Sequence, residues 1–436
     1  MIFKSSVVLK AGDEHTIDVL EVILKFANTK SKTMKKLLVL FLLSSSLAYG
    51  QRKFSIDETV YGPSRFAPKT IKATRWIANT DAFSSLDSSA QNLIIYSAKN
   101  KWIPKQLLSK SELQKALIQM IQGDTIALNS IPADYSWLDQ HTISLEIEGT
   151  SKHYNIIYNI PNKTIKIISS LASQIAADKV FSALGGTAFL RKNNIGIIQI
   201  DGQEIQVTKD TLEGIVNGSS TVHRNEFGID KGMWWSPDDK KLLYYTKDES
   251  KVSKYPLPQW DTRITTVKDI RYPMAGMKSE EVTLNIFDTE TGNYIRLQTG
   301  EPKDQYLTTV TWDPSSNFVY VGVLNRGQDH LKLNQYDAKT GQVTKTLFEE
   351  SSDTWVEPQY PLAFLPANPT QFIYQTDKDG YNQLFLYSTE GRLIRKLGYQ
   401  DVIVTDFQGF NKKGTKVYYI GATDQGMNRH LFETDL

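Results

Sequence analysis

The sequence predicts an all-β protein built as a β-propeller. Three observations carry that expectation: short β-rich runs bounded by Gly, Asn, Asp and Pro from about residue 74 onward, a recurrent hairpin turn, and a second kind of strand pair ahead of each hairpin. The hairpin turn is Asp288-Thr289-Glu290-Thr291-Gly292 between Leu284–Phe287 and Tyr294–Leu297, and Asp337-Ala338-Lys339-Thr340-Gly341 between Leu333–Tyr336 and Val343–Leu347. Ser388-Thr389-Glu390-Gly391 repeats it between Leu384–Tyr387 and Arg392–Leu397. Gly supplies the positive φ that such a turn requires.

The preceding pairs are Trp234-Trp235-Ser236-Pro237-Asp238 with Leu242–Tyr245, Val310-Thr311-Trp312-Asp313-Pro314 with Phe318–Val323, and Leu362–Pro366 with Gln371–Tyr374. Phe410-Asn411-Lys412-Lys413-Gly414 before Lys416–Ile420 opens one more. Weaker copies come earlier, at Tyr154–Tyr158 with Pro161-Asn162-Lys163 and at Ile195–Ile200 with Asp201-Gly202-Gln203. Two strands followed by a two-strand hairpin, recurring at roughly 45 to 75 residues, is the pattern of propeller blades. It gives about six blades between residues 74 and 400 and a seventh that breaks off at Leu436. A pair of β-sandwiches would use the same short strands. The aromatic-x-Pro-Asp opening followed by Asp-x-x-x-Gly decides for the propeller. One amphipathic helix, Ser111 to Gln122, decorates an early blade.

Ahead of the blades, Met34-Lys35-Lys36 precedes the apolar run Leu37–Leu43 and then Ser44 to Gly50, with small residues at Ala48 and Gly50. A basic start, an apolar stretch too short to span a bilayer and a small-residue end read as a secretory signal peptide cleaved near Gly50. The expected organisation is therefore a mis-called extension over 1–33, the signal peptide over 34–50, an N-terminal segment over 51–73 and the propeller over 74–436. A secreted or periplasmic location follows from a leader beginning at Met34.

Composition narrows the chemistry. With 40% hydrophobic and 22% charged residues, the chain is that of a folded protein and not a disordered one. Removing the seven basic and four acidic residues of positions 1–50 leaves 43 against 44, so nothing points to a nucleic-acid partner. Zero cysteines exclude disulfides, thiolate metal sites and cysteine nucleophiles. The six histidines, at 15, 141, 153, 223, 330 and 430, are too scattered for a helical zinc site, and no metal or cofactor is expected. No G-x-S-x-G, phosphate-binding loop or dinucleotide fingerprint occurs, so the chain reads as a recognition part and carries no catalytic residue of its own.

The most distinctive stretch is Thr221 to Pro237, whose first half is polar, interrupted and placed between blades. A carboxylate there can face the central cavity and pair with a cation such as a peptide α-ammonium, or it can be a solvated surface Glu. The run Val222 to Pro237, Tyr272-Pro273-Met274-Ala275-Gly276, Leu297 to Lys303, and Val356-Glu357-Pro358 with Pro361 to Pro366 resemble the N-terminal propeller of the dipeptidyl peptidase IV group of serine peptidases. Within that group they are most similar to bacterial prolyl tripeptidyl peptidases. The resemblance is dense from about residue 220 to 430 and thin before 180.

The resemblance implies an exopeptidase that releases di- or tripeptides after proline, with an eight-bladed propeller capping an α/β-hydrolase domain. It assigns binding of the substrate N-terminus to Glu226, with His223, Arg224, Asn225 and Phe227 as the supporting motif. Asn225 stands where some members carry a second glutamate, which favours tripeptide release. The family's propeller arginine finds no counterpart between Leu145 and Tyr154. Its serine, aspartate and histidine fall beyond Leu436, so the expectation is an incomplete propeller, inactive alone, whose partners are a peptide with a free N-terminus and the missing hydrolase domain. The resemblance also allows a homodimer. The alternative is a stand-alone propeller that scaffolds other proteins of the cell envelope.

Overall fold

A computed structural model of the chain describes residues 55–60, 72–77, 80–172, 178–182, 186–199, 202–223 and 227–436. The expected signal peptide and the extension before it lie outside the described residues. The chain divides into two units, Met1–Thr70 and Ile71–Leu436. In the first, the described element is a short helix, Ile56–Val60, with Ser55 and Glu58 capping one another.

All described strands lie in the second unit, where they form seven successive antiparallel blades and one separate two-stranded sheet. Blade 1 comprises Lys72–Trp76, Ala82–Leu86, Asn92–Ser97 and Lys105–Ser109, and blade 2 comprises Tyr135–Trp137, Thr142–Glu148, Lys152–Asn159 and Thr164–Ala172. Blade 3 holds Lys179–Phe181, Thr187–Arg191, Asn194–Ile198 and Glu204–Gln206. Blade 4 is built on Lys241–Asp248, Glu281–Asp288 and Tyr294–Arg296. Blade 5 runs Tyr306–Trp312, Phe318–Leu324, His330–Asp337 and Val343–Ser351; blade 6 runs Ala363–Leu365, Asn368–Thr376, Gln383–Ser388 and Leu393–Lys396. Blade 7 has three strands, Ile403–Phe410, Lys416–Thr423 and Asn428–Asp435. The fold is the all-β propeller expected, its first strand beginning at Lys72.

Central strands of the middle blades carry apolar runs because both of their faces are covered by neighbouring blades. Leu243 and Tyr245 pack into a cluster shared with blade 5, while their neighbours Leu242 and Tyr244 join one shared with blade 3. The run Leu242-Leu243-Tyr244-Tyr245 therefore serves two interfaces at once, as strands buried on both faces do. Val319 and Val321 face blade 4 and Tyr320 faces blade 6 by the same alternation. Tryptophans at the ends of inner strands tie blades 2, 4 and 5 to the blade before: Trp137 Nε1 donates to Ser84 Oγ (2.8 Å), Trp235 to the Val180 carbonyl (3.0 Å) and Trp312 to the Trp234 carbonyl (3.2 Å).

The hairpin motif has a local cause. Asp288 Oδ1 accepts from the N–H groups of Glu290 (3.0 Å) and Thr291 (2.8 Å), and its carbonyl accepts from Gly292 (2.8 Å), which sits at φ +73°. Asp337 repeats the arrangement with Lys339, Thr340 and Gly341, the glycine again at +73°. An Asp that caps its own turn and a Gly that accepts a positive φ are what these positions select.

The helix spans Lys110–Met120, a residue earlier at its start than periodicity suggests, because Ser109 is the N-cap and Glu112 completes a capping box with it. Leu113 and Leu117 are wholly buried between blades 1 and 2. One element is absent from the sequence reading: a two-stranded arm, Lys254–Gln259 paired with Thr266–Arg271, inserted between two strands of blade 4. Trp260 (83% exposed) and Ile264 (89%) lie at its tip. Among the described residues, no helix is long and apolar enough to cross a membrane.

Candidate functional site

In a propeller the first strand of each blade lines the central channel. In blade 4 that position is filled by two short strands in line, Ile215–Asn217 and Met233–Trp235, both paired with Lys241–Asp248. Between them the described residues 218–223 and 227–232 lie outside the sheet. The sequence places this stretch between blades; it is instead an excursion out of a single strand, because Tyr245 closes both of its ends. The Tyr245 carbonyl accepts from Gly218 N–H (2.7 Å), and its N–H donates to the Gly232 carbonyl (3.0 Å). At position 232 there is no room for a side chain, since a Cβ would stand 2.3 Å from the Ser219 carbonyl oxygen.

The excursion is anchored to four blades. Ser220 donates through its N–H and its Oγ to the two carboxylate oxygens of Asp178, each at 2.9 Å, at the edge of blade 3. Val222 is wholly buried in the cluster between blades 4 and 5, and Phe227 is 1% exposed in the cluster between blades 5 and 6. His223 sits between them, its ring edge-on to Phe227 (6.2 Å between centroids), Tyr245 of blade 4 (6.1 Å) and Tyr306 of blade 5 (5.2 Å). The Arg326 guanidinium lies over the Tyr306 ring and donates to its hydroxyl.

His223 is 5% exposed, and neither ring nitrogen has a hydrogen-bond partner among the described residues. Burial pushes its pKa down to about 4, with the Glu280 charge opposing and Lys247 and Arg326 reinforcing the shift. The imidazole is neutral across the physiological range. Its backbone is left-handed at φ +54°, and its carbonyl accepts from Phe227 N–H (3.0 Å), drawing together the two flanks of residues 224–226. Arg224, Asn225 and Glu226 lie outside the described residues.

Immediately after Phe227 the excursion borders a cleft of about 370 Å³, walled by Ile229, Trp234, Tyr245, Thr309, Trp312 and Pro361. Aromatic and proline surfaces dominate it, and the buried Thr309 hydroxyl has no hydrogen-bond partner among the described residues. Such a cleft suits an apolar group bearing few polar atoms. The structure thus brings together two of the motif residues, His223 and Phe227, with Tyr245, Tyr306 and Arg326, which sequence reasoning did not single out. The available signal was the apolar pair Val222 and Phe227 inside an otherwise polar run.

These features define a β-propeller with an anchored excursion beside an apolar cleft, and comparison with known proteins gives its family. The chain belongs to the dipeptidyl peptidase IV N-terminal region family, whose model matches residues 148–436. It is 31% identical to a solved Bacteroides ovatus protein, a "putative dipeptidyl aminopeptidase IV", with a TM-score of 0.73 over 88% of this chain and 54% of that one. The fold is shared with Porphyromonas gingivalis dipeptidyl peptidase 4, at TM-score 0.68 and 23% identity over 88% of this chain and 55% of that one. A "probable dipeptidyl-aminopeptidase B" of Pyrenophora teres f. teres is 22% identical over 90% of this chain and 47% of its own length. The chain spans about half or less of the length of the relatives it matches.

Proposed function

We propose that this propeller is the substrate-gating and N-terminus-recognising part of a secreted post-proline serine exopeptidase, with an α/β-hydrolase domain supplying the serine, aspartate and histidine. Glu226 takes the α-ammonium of the substrate in a charge-assisted hydrogen bond. The observation that supports this best is the excursion itself: its described residues on either side of Glu226 leave a channel-lining strand and are tied to blades 3, 4, 5 and 6. The single glutamate of the motif, beside Asn225, favours release of a tripeptide over a dipeptide. Export through a leader beginning at Met34 and pairing into a homodimer belong to the same proposal.

The test is Glu226→Ala in a polypeptide that joins this chain to the hydrolase domain. Loss of a charged partner for a buried ammonium costs about 2 to 5 kcal/mol in kcat/KM on Ala-Pro- and Ala-Ala-Pro-p-nitroanilide. An unchanged kcat/KM removes Glu226 from the site. Absence of activity in a folded wild-type polypeptide moves the assignment to the scaffold reading.

A further inference from the structure

The two rims of the propeller differ in what they expose. Strands of a blade alternate in direction, so the turns after its first and third strands lie on one rim; the turn after its second strand and the link to the next blade lie on the other. On the first rim of blades 4 to 7, the turns at 236–240, 289–293, 313–317, 338–342, 366–367, 389–392 and 411–415 carry no exposed large apolar side chain. Asp288, Asp313, Asp337 and Asn411 there accept from backbone N–H groups of their own turns. The second rim is different. Trp355, in the link from blade 5 to blade 6, is 58% exposed; Tyr381, after the second strand of blade 6, is 61% exposed; and Met427, after the second strand of blade 7, is 82% exposed.

Trp, Tyr and Met are the side chains that interface cores favour. Three of them on one rim of adjoining blades, with none on the opposite turns, mark a face that is covered by a partner. That rim also adjoins the candidate site. Val356 N–H donates to the Gln328 carbonyl (2.7 Å), tying the link at 352–362 to the hairpin at 325–329. From Trp355 the link runs into the wall of the cleft as Pro358 to Pro361. Arg326 of the hairpin lies over Tyr306, against which Phe227 of the excursion packs (5.1 Å between centroids). A domain that cuts a peptide two or three residues from a held end must come within about 10 Å of the holding site. This chain covers 47% of one relative and 54% of another, so each of them carries a further stretch of domain size. We propose that the rim bearing Trp355, Tyr381 and Met427 is the face on which the hydrolase domain docks. This rests on the reading of the chain as the propeller of an exopeptidase given above.

Hydrogen exchange followed by mass spectrometry compares the 436-residue chain with the polypeptide that joins it to the hydrolase domain. Peptides over 325–329, 352–362, 377–382 and 424–427 should exchange more slowly in the joined polypeptide by on the order of tenfold or more, while the turns at 289–293, 338–342 and 389–392 should be unchanged. Trp355→Ser, Tyr381→Ser and Met427→Ser combined should remove most of that protection. In the 436-residue chain the same three changes should leave the thermal midpoint where it was, because the side chains are exposed. Protection of the first rim instead, or of neither rim in a folded joined polypeptide, overturns the inference. So does protection that survives the three changes, or a midpoint that falls with them, which would give these side chains to the propeller's own packing. Dimers of the 436-residue chain that the three changes dissociate would assign the rim to a second copy and overturn it as well. Cleavage of Ala-Ala-Pro-p-nitroanilide is measured on the same joined polypeptide. Activity without rim protection removes the docking face and leaves the proposed function standing, whereas rim protection without activity removes the proposed function and leaves the docking face.

Discussion

Replacing His223 by Phe should make the protein less sensitive to acid, by an amount the structure sets. The imidazole is pushed down to about 4 in the fold against 6.5 for the free side chain. A base whose folded pKa is depressed lets the unfolded chain take up its proton first, so stability present above the unfolded value is lost as pH falls toward the folded one. For these two values the loss is about 2 kcal/mol between pH 7.5 and pH 5, approaching about 3 kcal/mol at pH 4. The charged groups that act on the ring, Glu280, Lys247 and Arg326, are the same in both proteins, and burial holds the Tyr245 hydroxyl well above its ordinary value. Other carboxylates contribute equally and cancel in the difference. Urea unfolding of wild type and His223→Phe at about pH 7.5 and pH 5 measures it. The variant should gain on wild type by about 2 kcal/mol at the lower pH. The same difference between the two proteins at both pH values would show that the imidazole is not held neutral by burial, and the description of the cage would fall.

The turns and blade contacts give further expectations. Gly341→Ala should cost about 1 to 3 kcal/mol, because the new Cβ would stand 2.2 Å from the Arg296 carbonyl oxygen at a positive φ. Gly292→Ala shares the positive φ but meets nothing within 4 Å, so it should lower the thermal midpoint less; equal losses would contradict the argument. Trp312→Phe should cost about 1 kcal/mol, since the Trp234 carbonyl loses its donor across the blade 4–5 seam; calorimetry reads this directly. Glu350 is buried between blades 5 and 6, and burial raises its pKa although Tyr374 and Thr376 donate to it. A raised folded value means stability that is present at low pH and lost as pH rises through it, so Glu350→Gln should gain on wild type from pH 5 to pH 8. A thermal-midpoint difference that does not change with pH rules that out.

Much of the fold was legible because its signals are local. An Asp that caps its own turn and a Gly at positive φ need only five consecutive residues, and Asp288–Gly292 and Asp337–Gly341 announce hairpins without reference to anything distant. Runs such as Leu242–Tyr245 likewise report strands covered on both faces. The arm at residues 254–271 was not legible, because Pro256 and Pro258 read as loop punctuation when they in fact lie in one strand of a two-stranded arm. Blade 1 was nearly silent, since its turns lack the Asp-x-x-x-Gly signature. The split inner strand of blade 4 escaped notice because each half has three residues and its pairing with Lys241–Asp248 is non-local. The motif around Glu226 was visible as a resemblance, but the burial of His223 was not. A polar residue in a polar run gives no sign that its ring will be enclosed by Tyr245, Tyr306 and Phe227 until the excursion folds back between blades.

The account stands most directly on recognition of a free N-terminus. In a polypeptide joining this chain to the hydrolase domain, kcat/KM for Ala-Ala-Pro-p-nitroanilide should exceed that for the N-acetylated form by on the order of thirtyfold or more, the lower end of what a buried charge pair contributes. Glu226→Ala should bring the two values together. Equal kcat/KM for free and acetylated substrates in the wild-type polypeptide would contradict the account.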